Sequence, residues 1–252
     1  MASPGWKPLL RIDRVLDDVH GFDAAASERV FRIAFSELGE IGWLPALFDT
    51  VHRRAPRVRI EVVPLIPEDL PEWLIRGSID LAVTPAELPS SFERTQVKRQ
   101  GYGVVMSSRN PLATKPLTLE TYRRASHVDV AGDSGASLLE AARRMADVLV
   151  EPLVAVQRFA TLPQLLTRSE ELIATIPESI AAGWATTWPI TIRELPFDMP
   201  AIELRLYKRR TTRATGALDW FYAIAARAIE GSAGEFSTIH ADLAGTLRQR
   251  AQ

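Results

Sequence analysis

Apolar and polar residues alternate along short segments of the chain. Between these segments lie stretches in which apolar residues recur at the spacing of a helix. Residues 30–36 place Phe31, Ile33 and Phe35 on one face, the period-2 pattern of a β-strand. Leu44, Leu47 and Val51 recur instead at the spacing of a helix. This part of the chain is predicted to form strands 30–36, 58–62 and 79–83, a loop at 36–42, a helix from Leu44 to about Val51, and a short helix 68–76 that stops at Gly77.

The alternation of strand and helix is interrupted twice, each time by two consecutive strands. Segments 92–98 and 102–106 flank Gly101, and segments 190–195 and 201–207 also follow each other directly. Between them the pattern predicts strands 126–131, 153–157 and 172–176 with helices 137–149, 162–168 and 178–185, and a long helix 215–230 closes the series. Two such interruptions predict an α/β protein of two lobes in which the chain crosses over and later returns.

This rhythm divides the chain into segments. Residues 28–100 form the first part of lobe I, 101–197 form lobe II, and 198–231 return to lobe I with a strand and a closing helix. Residues 232–252 are predicted to hold a tail helix, over about 236–250. In residues 1–27, an amphipathic stripe from Leu9 to Val19 precedes the first strand.

Composition and charge exclude several classes of protein and of site. The 252 residues carry 30 Lys and Arg against 31 Asp and Glu, so no global positive field attracts nucleic acid. The absence of cysteine excludes disulfides, thiolate metal sites and thiol nucleophiles. No apolar run approaches the ~18 residues that span a bilayer, and charges interrupt the N-terminal segment where a signal peptide would be apolar. We therefore expect a cytoplasmic protein without membrane contact.

Motifs of catalysis and cofactor binding are sparse. The four histidines, at positions 20, 52, 127 and 240, lack the spacing of a metal site, and neither a phosphate-binding glycine loop nor a GxSxG elbow occurs. His127 and Asp129 share a strand face, either as a fragment of a catalytic triad or, as we favour, with His127 capping the sheet. The run 208–213 is basic, and a solvated turn is favoured there over an anion site. We expect no enzyme, no metal and no cofactor.

The turns that follow the strands are the best candidates for binding. In open α/β sheets, ligands bind beyond the carboxyl ends of strands, where helices begin. Each of these residues taken singly is also explained by turn or capping chemistry, as when Thr161 caps its helix. The candidate effector-binding residues are Ser36, Glu37, Leu38, Leu65, Ile66, Tyr102, Gly132, Asp133, Arg158, Phe159, Thr161 and Ile176.

A series of short motifs in a consistent order resembles the effector-binding domain of LysR-type transcriptional regulators. The resemblance covers residues 28–230. Its motifs are Phe31-Arg32-Ile33-Ala34 with Ser36, Leu44-Pro45, Ala55-Pro56, Gly77-x-Ile79-Asp80-Leu81-Ala82-Val83, Asn110-Pro111-Leu112-Ala113, Leu162-Pro163-Gln164-Leu165-Leu166 and Ile176-Pro177. The resemblance implies two Rossmann-like lobes of the type II periplasmic-binding-protein kind, joined by two crossover strands, with a small-molecule effector between them.

The resemblance also implies partners. Family members pair as homodimers, with helix 44–55 of one protomer on helix 177–185 of the other, and bind DNA through an N-terminal helix-turn-helix. The sequence shows no such element, and residues 1–27 resemble only the end of the family's linker helix and a tether. Segments around His127 and Phe159 resemble the branch that senses aromatic compounds or plant signals. Glu37 and Asp133 argue against an anionic effector unless Arg158 faces the cleft.

Three functions compete at this point. The leading hypothesis is a regulatory domain that senses an at least partly aromatic effector. A stand-alone solute-binding protein shares the architecture but requires an export signal. An enzyme on this fold requires a converging acid–base pair or a metal cluster, which the sequence does not supply.

Overall fold

The structure is a computed structural model that describes residues 22–131, 133–210 and 216–232. The predicted N-terminal stripe and the tail helix lie outside the described residues. The ten strands of the described part are β1 (Val30–Phe35), β2 (Arg59–Pro64), β3 (Leu81–Thr84), β4 (Phe92–Gln100), β5 (Tyr102–Ser107), β6 (Ser126–Val130), β7 (Val154–Val156), β8 (Leu172–Pro177), β9 (Ile190–Glu194) and β10 (Ile202–Arg209).

Helices cover the sheets that these strands form. The α-helices of the described part are α1 (Glu37–Gly42), α2 (Leu44–Arg54), α3 (Leu70–Arg76), α4 (Leu119–Arg124), α5 (Ala136–Met145), α6 (Leu162–Thr167), α7 (Glu178–Ala185) and α8 (Gly216–Gly231). Short 3₁₀ helices occupy Pro111–Thr114 and Phe159–Thr161.

The strands form two five-stranded sheets, with the orders β2-β1-β3-β10-β4 and β7-β6-β8-β5-β9. In the first sheet β1 pairs in parallel with β2 and β3, whereas β10 runs antiparallel to β3 and β4. The second sheet repeats this plan, because β6 is parallel to β7 and β8 and β5 is antiparallel to β8 and β9. The two lobes predicted from the strand rhythm are thereby confirmed.

The chain changes sheet at the two places where consecutive strands were predicted. β4 ends at Gln100 in the first sheet, and β5 begins at Tyr102 in the second with Gly101 between them. The return runs from β9 in the second sheet to β10 in the first. Both crossovers therefore lie at the junction of the lobes.

Each lobe has its own apolar core. In the first lobe Phe31 of β1 stacks on Phe221 of α8, with ring centroids 4.3 Å apart, and both side chains are fully buried. Asp80, within the Gly77–Val83 motif, is also fully buried, where it pairs with Arg29 at 3.2 Å and accepts the Arg32 N–H at 2.9 Å. That motif therefore fixes β1 against the start of β3.

Three segments differ from the sequence prediction. Residues 36–42, predicted as a loop, contain α1, whose first turn begins with the Gly39 and Glu40 N–H groups donating to the Ser36 carbonyl. The helix predicted over 137–149 stops at Met145, because Asp147 has a left-handed φ of 54°. Helix α4 was not predicted, and a capping box between Thr118 and Thr121 begins it.

The basic run 208–213 is not simply a solvated turn. Lys208 and Arg209 belong to β10, and the buried Lys208 ammonium contacts Asp219 and Glu93. Burial alone would lower the pKa of Lys208, but hydrogen bonds and charges from Asp219 and Glu93 outweigh it and raise that pKa. Residues 211–213 lie outside the described part of the chain.

Candidate functional site

Helix α1 belongs to the first lobe by sequence but packs its apolar face into the second. Leu38 is 7% exposed and shares one buried cluster with Phe159, Ile176 and Ile180 of the second lobe. Ile41, one turn later on the same helix, packs against this cluster. The 37–42 segment is therefore a connection between the lobes as well as the turn that follows β1.

A pair of hydrogen bonds reinforces this packing across the junction. The Glu37 carboxylate accepts the N–H of Phe159 at 3.0 Å and the N–H of Ala160 at 3.1 Å. These donors begin the 3₁₀ helix Phe159–Thr161, where backbone N–H groups have no partner inside the helix. Hydrogen bonds to an ionised acceptor are stronger than neutral ones, so Glu37 holds the two lobes together at this point.

A second polar group lies beside the first crossover. The Tyr102 hydroxyl donates to the Asp133 carboxylate, 2.8 Å from either oxygen, and the Gly135 N–H donates to the same group at 2.9 Å. A Cβ added at Gly135 would clash with Tyr102 Oη, so glycine is what permits this close approach. Asp133 and Gly135, which lie between β6 and α5, thus pack against Tyr102 beside the first crossover.

Burial dominates the ionisation of this pair. It raises the pKa of Asp133 above the ordinary value for aspartate, and the hydrogen bonds from Gly135 and Tyr102 oppose that rise. Burial also raises the pKa of Tyr102, and the charge of Asp133 raises it further. The phenol therefore stays protonated and acts as a donor.

A cavity of about 400 Å³ adjoins Asp133, within the second lobe and beneath α5. This volume is within the range of small-molecule pockets. Its polar lining includes Asp129, Arg143 and Thr175, and its apolar lining includes Leu139 and Val148. Among the candidate residues that the structure describes, Asp133 alone lines this cavity, which otherwise lies apart from them.

Behind the cavity a polar network connects β6 to the helices that cover it. The Tyr122 hydroxyl lies 2.7 Å from Thr175 Oγ1 and accepts Arg143 Nε–H at 3.0 Å, while Arg143 pairs with Asp129 at 3.4 Å. His127 is buried, with Nε2 at 2.7 Å from the Tyr122 carbonyl. In this network His127 has a structural role and Asp129 binds an arginine, which is not a triad arrangement.

The other candidate residues do not belong to these groups of contacts. Ser36 and Thr161 precede α1 and α6 without capping them through their side chains, contrary to the expectation that Thr161 caps its helix. Leu65 packs on the first lobe's own core, and Ile66 is 40% exposed. Arg158 is exposed, and Gly132 lies outside the described residues.

The structure brings some of the candidate effector-binding residues into contact and adds residues that the sequence did not predict. Glu37, Leu38, Phe159 and Ile176 meet in one place, and Tyr102 meets Asp133. The missed contributors are the N–H of Ala160, the glycine at 135 and Arg143 beneath α5. Ala160 takes part only through its backbone N–H, so its side-chain type gives no indication of this role in the sequence. Gly135, in Gly132-Asp-Ser-Gly, could have been found as a second glycine in a turn.

The described residues contain neither a metal-binding cluster nor a membrane-spanning helix. Within 22–131, 133–210 and 216–232, no group of three or more His, Asp or Glu side chains is arranged to hold a metal ion. None of the helices in these ranges has the length and apolar character to cross a bilayer.

The chain is similar over most of its length to one family of domains. The family described as "LysR substrate binding domain" matches residues 24–230. The chain is 26% identical over 209 residues to the HTH-type transcriptional activator NagR of Ralstonia sp., covering 82% of this chain and 69% of that protein. It is 31% identical over 210 residues to Nodulation protein D 1 of Rhizobium leguminosarum bv. phaseoli, covering 80% and 64%.

Solved structures share the fold. The regulatory domain of MexT, a transcriptional activator in Pseudomonas aeruginosa, is 27% identical with a TM-score of 0.65, covering 78% of this chain and 98% of that one. A transcriptional regulator from Vibrio parahaemolyticus has a TM-score of 0.73 at 20% identity, covering 83% and 97%. The related regulators are longer than the region that aligns with this chain. In NagR, for example, the alignment covers 69% of the protein.

The packing of α1 predicts a large effect of shortening Leu38. Because Leu38 is buried among side chains of the opposite lobe, Leu38→Ala should lower the free energy of unfolding by about 2–4 kcal/mol through lost contacts and a residual cavity. Urea denaturation followed by circular dichroism measures this. Leu149→Ala, at a side chain that is 80% exposed, is the control and should change little. Equal effects of the two substitutions would contradict the packing described for α1.

Burial of His127 predicts a pH dependence of stability. Burial lowers the pKa of His127 below its ordinary value of 6.5, and the charge of Arg143 acts in the same direction. Below about pH 6.5 the unfolded chain therefore binds a proton that the folded chain does not, and stability should fall as the pH falls. Urea midpoints between pH 7.5 and 5.5 test this. The slope should diminish in His127→Gln and persist in His52→Gln; an unchanged slope in His127→Gln would refute it.

Proposed function

The chain belongs to the LysR substrate binding domain family, and we propose that a small, at least partly aromatic effector binds at the junction of its lobes. The observation that carries this is the meeting of two helix starts from opposite lobes, marked by the Glu37 carboxylate on the N–H groups of Phe159 and Ala160. A ligand at this point contacts both lobes and so changes how they are held together.

The junction combines polar side chains with a buried apolar cluster. Ser36 precedes Glu37 in sequence and Thr161 follows Ala160, and their hydroxyls do not cap the helices that follow. Phe159 and Ile176 belong to the buried apolar cluster that Leu38 joins, and the partly exposed Ile66 follows β2 on the first lobe. Apolar walls with a few fixed polar groups are the usual composition of small-molecule sites.

Effector binding is proposed to control transcription through a DNA-binding part of the full regulator. NagR and NahR are HTH-type transcriptional activators by name, and both extend beyond the region aligned with this chain, which covers 69% of each. A helix-turn-helix binds DNA by placing a recognition helix in the major groove. This chain has a net charge of −1 and therefore no overall positive field that would attract DNA. The family match favours this function over a stand-alone solute-binding protein.

We propose that the working unit is a homodimer in which α2 of one protomer packs on α7 of its partner. Helix α2 exposes Phe48, which is 53% accessible and stacks on His52 at a centroid distance of 5.4 Å. On the α7 side of the proposed contact, Trp184 is buried within its own lobe, whereas Trp188, just after the helix, is 36% exposed. Two-fold symmetry would make each contact occur twice.

Screening identifies the effector class. A ligand that binds only the folded chain raises its melting temperature, so small aromatics and acids are tested by thermal shift. With a ligand found, Ser36→Ala and Thr161→Val should each weaken binding roughly three- to tenfold, since a lost hydrogen bond costs ~0.5–1.5 kcal/mol. Titration calorimetry measures the affinities.

The matched control for the hydroxyl variants is Thr187→Val, at an exposed threonine just after α7. It should leave the affinity unchanged. Lower stability with intact affinity in both Ser36→Ala and Thr161→Val would show that these hydroxyls are structural and that the effector binds elsewhere.

The proposed dimer predicts that a substitution in the contact between the protomers lowers the mass of the particle in solution. Phe48→Glu should shift the chain from dimer to monomer in light scattering at micromolar concentration, because a charge would be buried in an apolar contact. Ile75→Glu is the control, since Ile75 is 69% exposed but lies on α3, outside the proposed contact. A monomeric wild-type chain that shows no shift on dilution, or equal effects of the two substitutions, would rule out this interface.

A further inference from the structure

The floor of the cavity beneath α5 consists of short side chains from three neighbouring strands. Asp129 of β6 lies directly opposite Ala155 of β7. The pairing of β6 with β8 includes Val128 and Ala174, so Thr175 lies beside Asp129 in the same register. Asp129, Ala155 and Thr175 all line the cavity. Short side chains at these positions leave a space of about 400 Å³ between the sheet and the helix.

Apolar side chains from α5 and from the segment after it also line the cavity. Ala136 and Leu139 lie one turn apart on the helix, and Val148 and Leu149 follow its end. The side chain of Leu149 is 80% exposed, so the cavity opens to solvent beside it. An apolar molecule can therefore enter from the surface and contact these side chains.

One ion pair in the cavity is held only by long contacts. The Arg143 side chain is 8% exposed, and its Nη1 and Nη2 atoms lie 3.4–3.5 Å from the Asp129 carboxylate. Charge-assisted N–H···O bonds are ordinarily about 2.7–2.9 Å long. The Asp129 carboxylate is 35% exposed and accepts no shorter hydrogen bond from the described residues. Both groups therefore keep hydrogen-bonding capacity that a molecule in the cavity can use.

Three other charged side chains line the cavity, and each has a closer partner elsewhere. Glu140 and Arg144 pair with each other at 3.3 Å on the exposed side of α5. Asp133 accepts two hydrogen bonds of 2.8–2.9 Å beside the first crossover. The pair of Asp129 and Arg143 is therefore the place where the polar group of a ligand binds.

We propose that this cavity is a second small-molecule site, separate from the effector site at the junction, for an uncharged molecule with an apolar body and one alcohol or primary amide group. Such a group can accept an N–H of Arg143 and donate to the Asp129 carboxylate at the same time. A carboxylate ligand is repelled by Asp129, and an ammonium ligand is repelled by Arg143. The site therefore selects against either charge.

The experiment compares three ligands of similar shape that differ in charge. Benzyl alcohol, benzoate and benzylammonium are titrated into the protein, and NMR follows the side-chain Nε–H of Arg143 and the backbone amides of Ala155 and Phe159. Benzyl alcohol should shift the Arg143 and Ala155 resonances saturably, with a Kd of about 1 mM for a ligand of this size, and leave Phe159 unchanged. Benzoate and benzylammonium should bind at least about tenfold more weakly.

A variant that fills the cavity tests its location. Ala155→Trp places a large side chain in the cavity from an exposed position on β7, and it should weaken the binding of benzyl alcohol at least about tenfold. Ala223→Trp, at an exposed alanine of α8 in the first lobe, is the matched control and should keep the wild-type affinity.

Three results would overturn the proposal. They are the absence of a saturable shift at Arg143 and Ala155, equal affinities of the three ligands, and unchanged binding of benzyl alcohol in Ala155→Trp. If that variant does not fold, Asp129→Asn replaces it. This substitution leaves Arg143 without its counter-charge, so benzoate should bind at least about tenfold more tightly than to the wild type, and an unchanged affinity would be contrary to the proposal.

The same titration separates this cavity from the junction. Shifts confined to the Phe159 amide would place benzyl alcohol at the junction of the lobes and so contradict a site beneath α5. The response of Arg143 and Ala155 does not depend on whether an effector binds at the junction, so failure of one site is recognised separately from failure of the other.

Discussion

The arrangement of the two lobes depends on helix α1, which follows the first strand of one lobe and is anchored in the other. Leu38 buries its side chain in the second lobe's apolar cluster, and Glu37, the residue before it, hydrogen-bonds to that lobe's backbone. An apolar anchor and a charged one on adjacent positions fix both the separation and the orientation of the helix. The crossovers at Gly101 and before β10 connect the sheets covalently, and α1 adds apolar and polar contacts between the lobes.

At this contact between the lobes, several polar groups are satisfied within the molecule. Glu37 occupies the N–H pair of Phe159 and Ala160, and Asp133 accepts both the Tyr102 hydroxyl and the Gly135 N–H. A ligand that binds there has to replace a hydrogen bond or add to one, because an unpaired buried polar group costs about 1–3 kcal/mol. An effector that binds at the junction, as proposed above, would therefore act on the same atoms that connect the lobes.

Much of the fold follows from the period of the hydrophobic pattern. The strand and helix rhythm predicted both crossovers, because consecutive strands without an intervening helix are conspicuous. Helix α1 was missed because Gly39 and Gly42 weaken the local preference for helix, and contact with the other lobe overrides it. The residues of the junction were partly predictable, since Glu37 and Phe159 both follow strands. Their direct contact was not, because it depends on a backbone N–H and on how two separately folded sheets face each other.

The most direct test of this account is native-state hydrogen exchange at the amides of Phe159 and Ala160. If Glu37 bridges the lobes in solution, both amides should exchange slowly although Ala160 is exposed, and Leu38→Ala should speed the exchange of both by loosening the helix that carries Glu37. Amides in the interior of β8 should keep their protection in that variant. Exchange of the Phe159 and Ala160 amides at the rate of an unprotected chain in the wild-type protein would contradict the account.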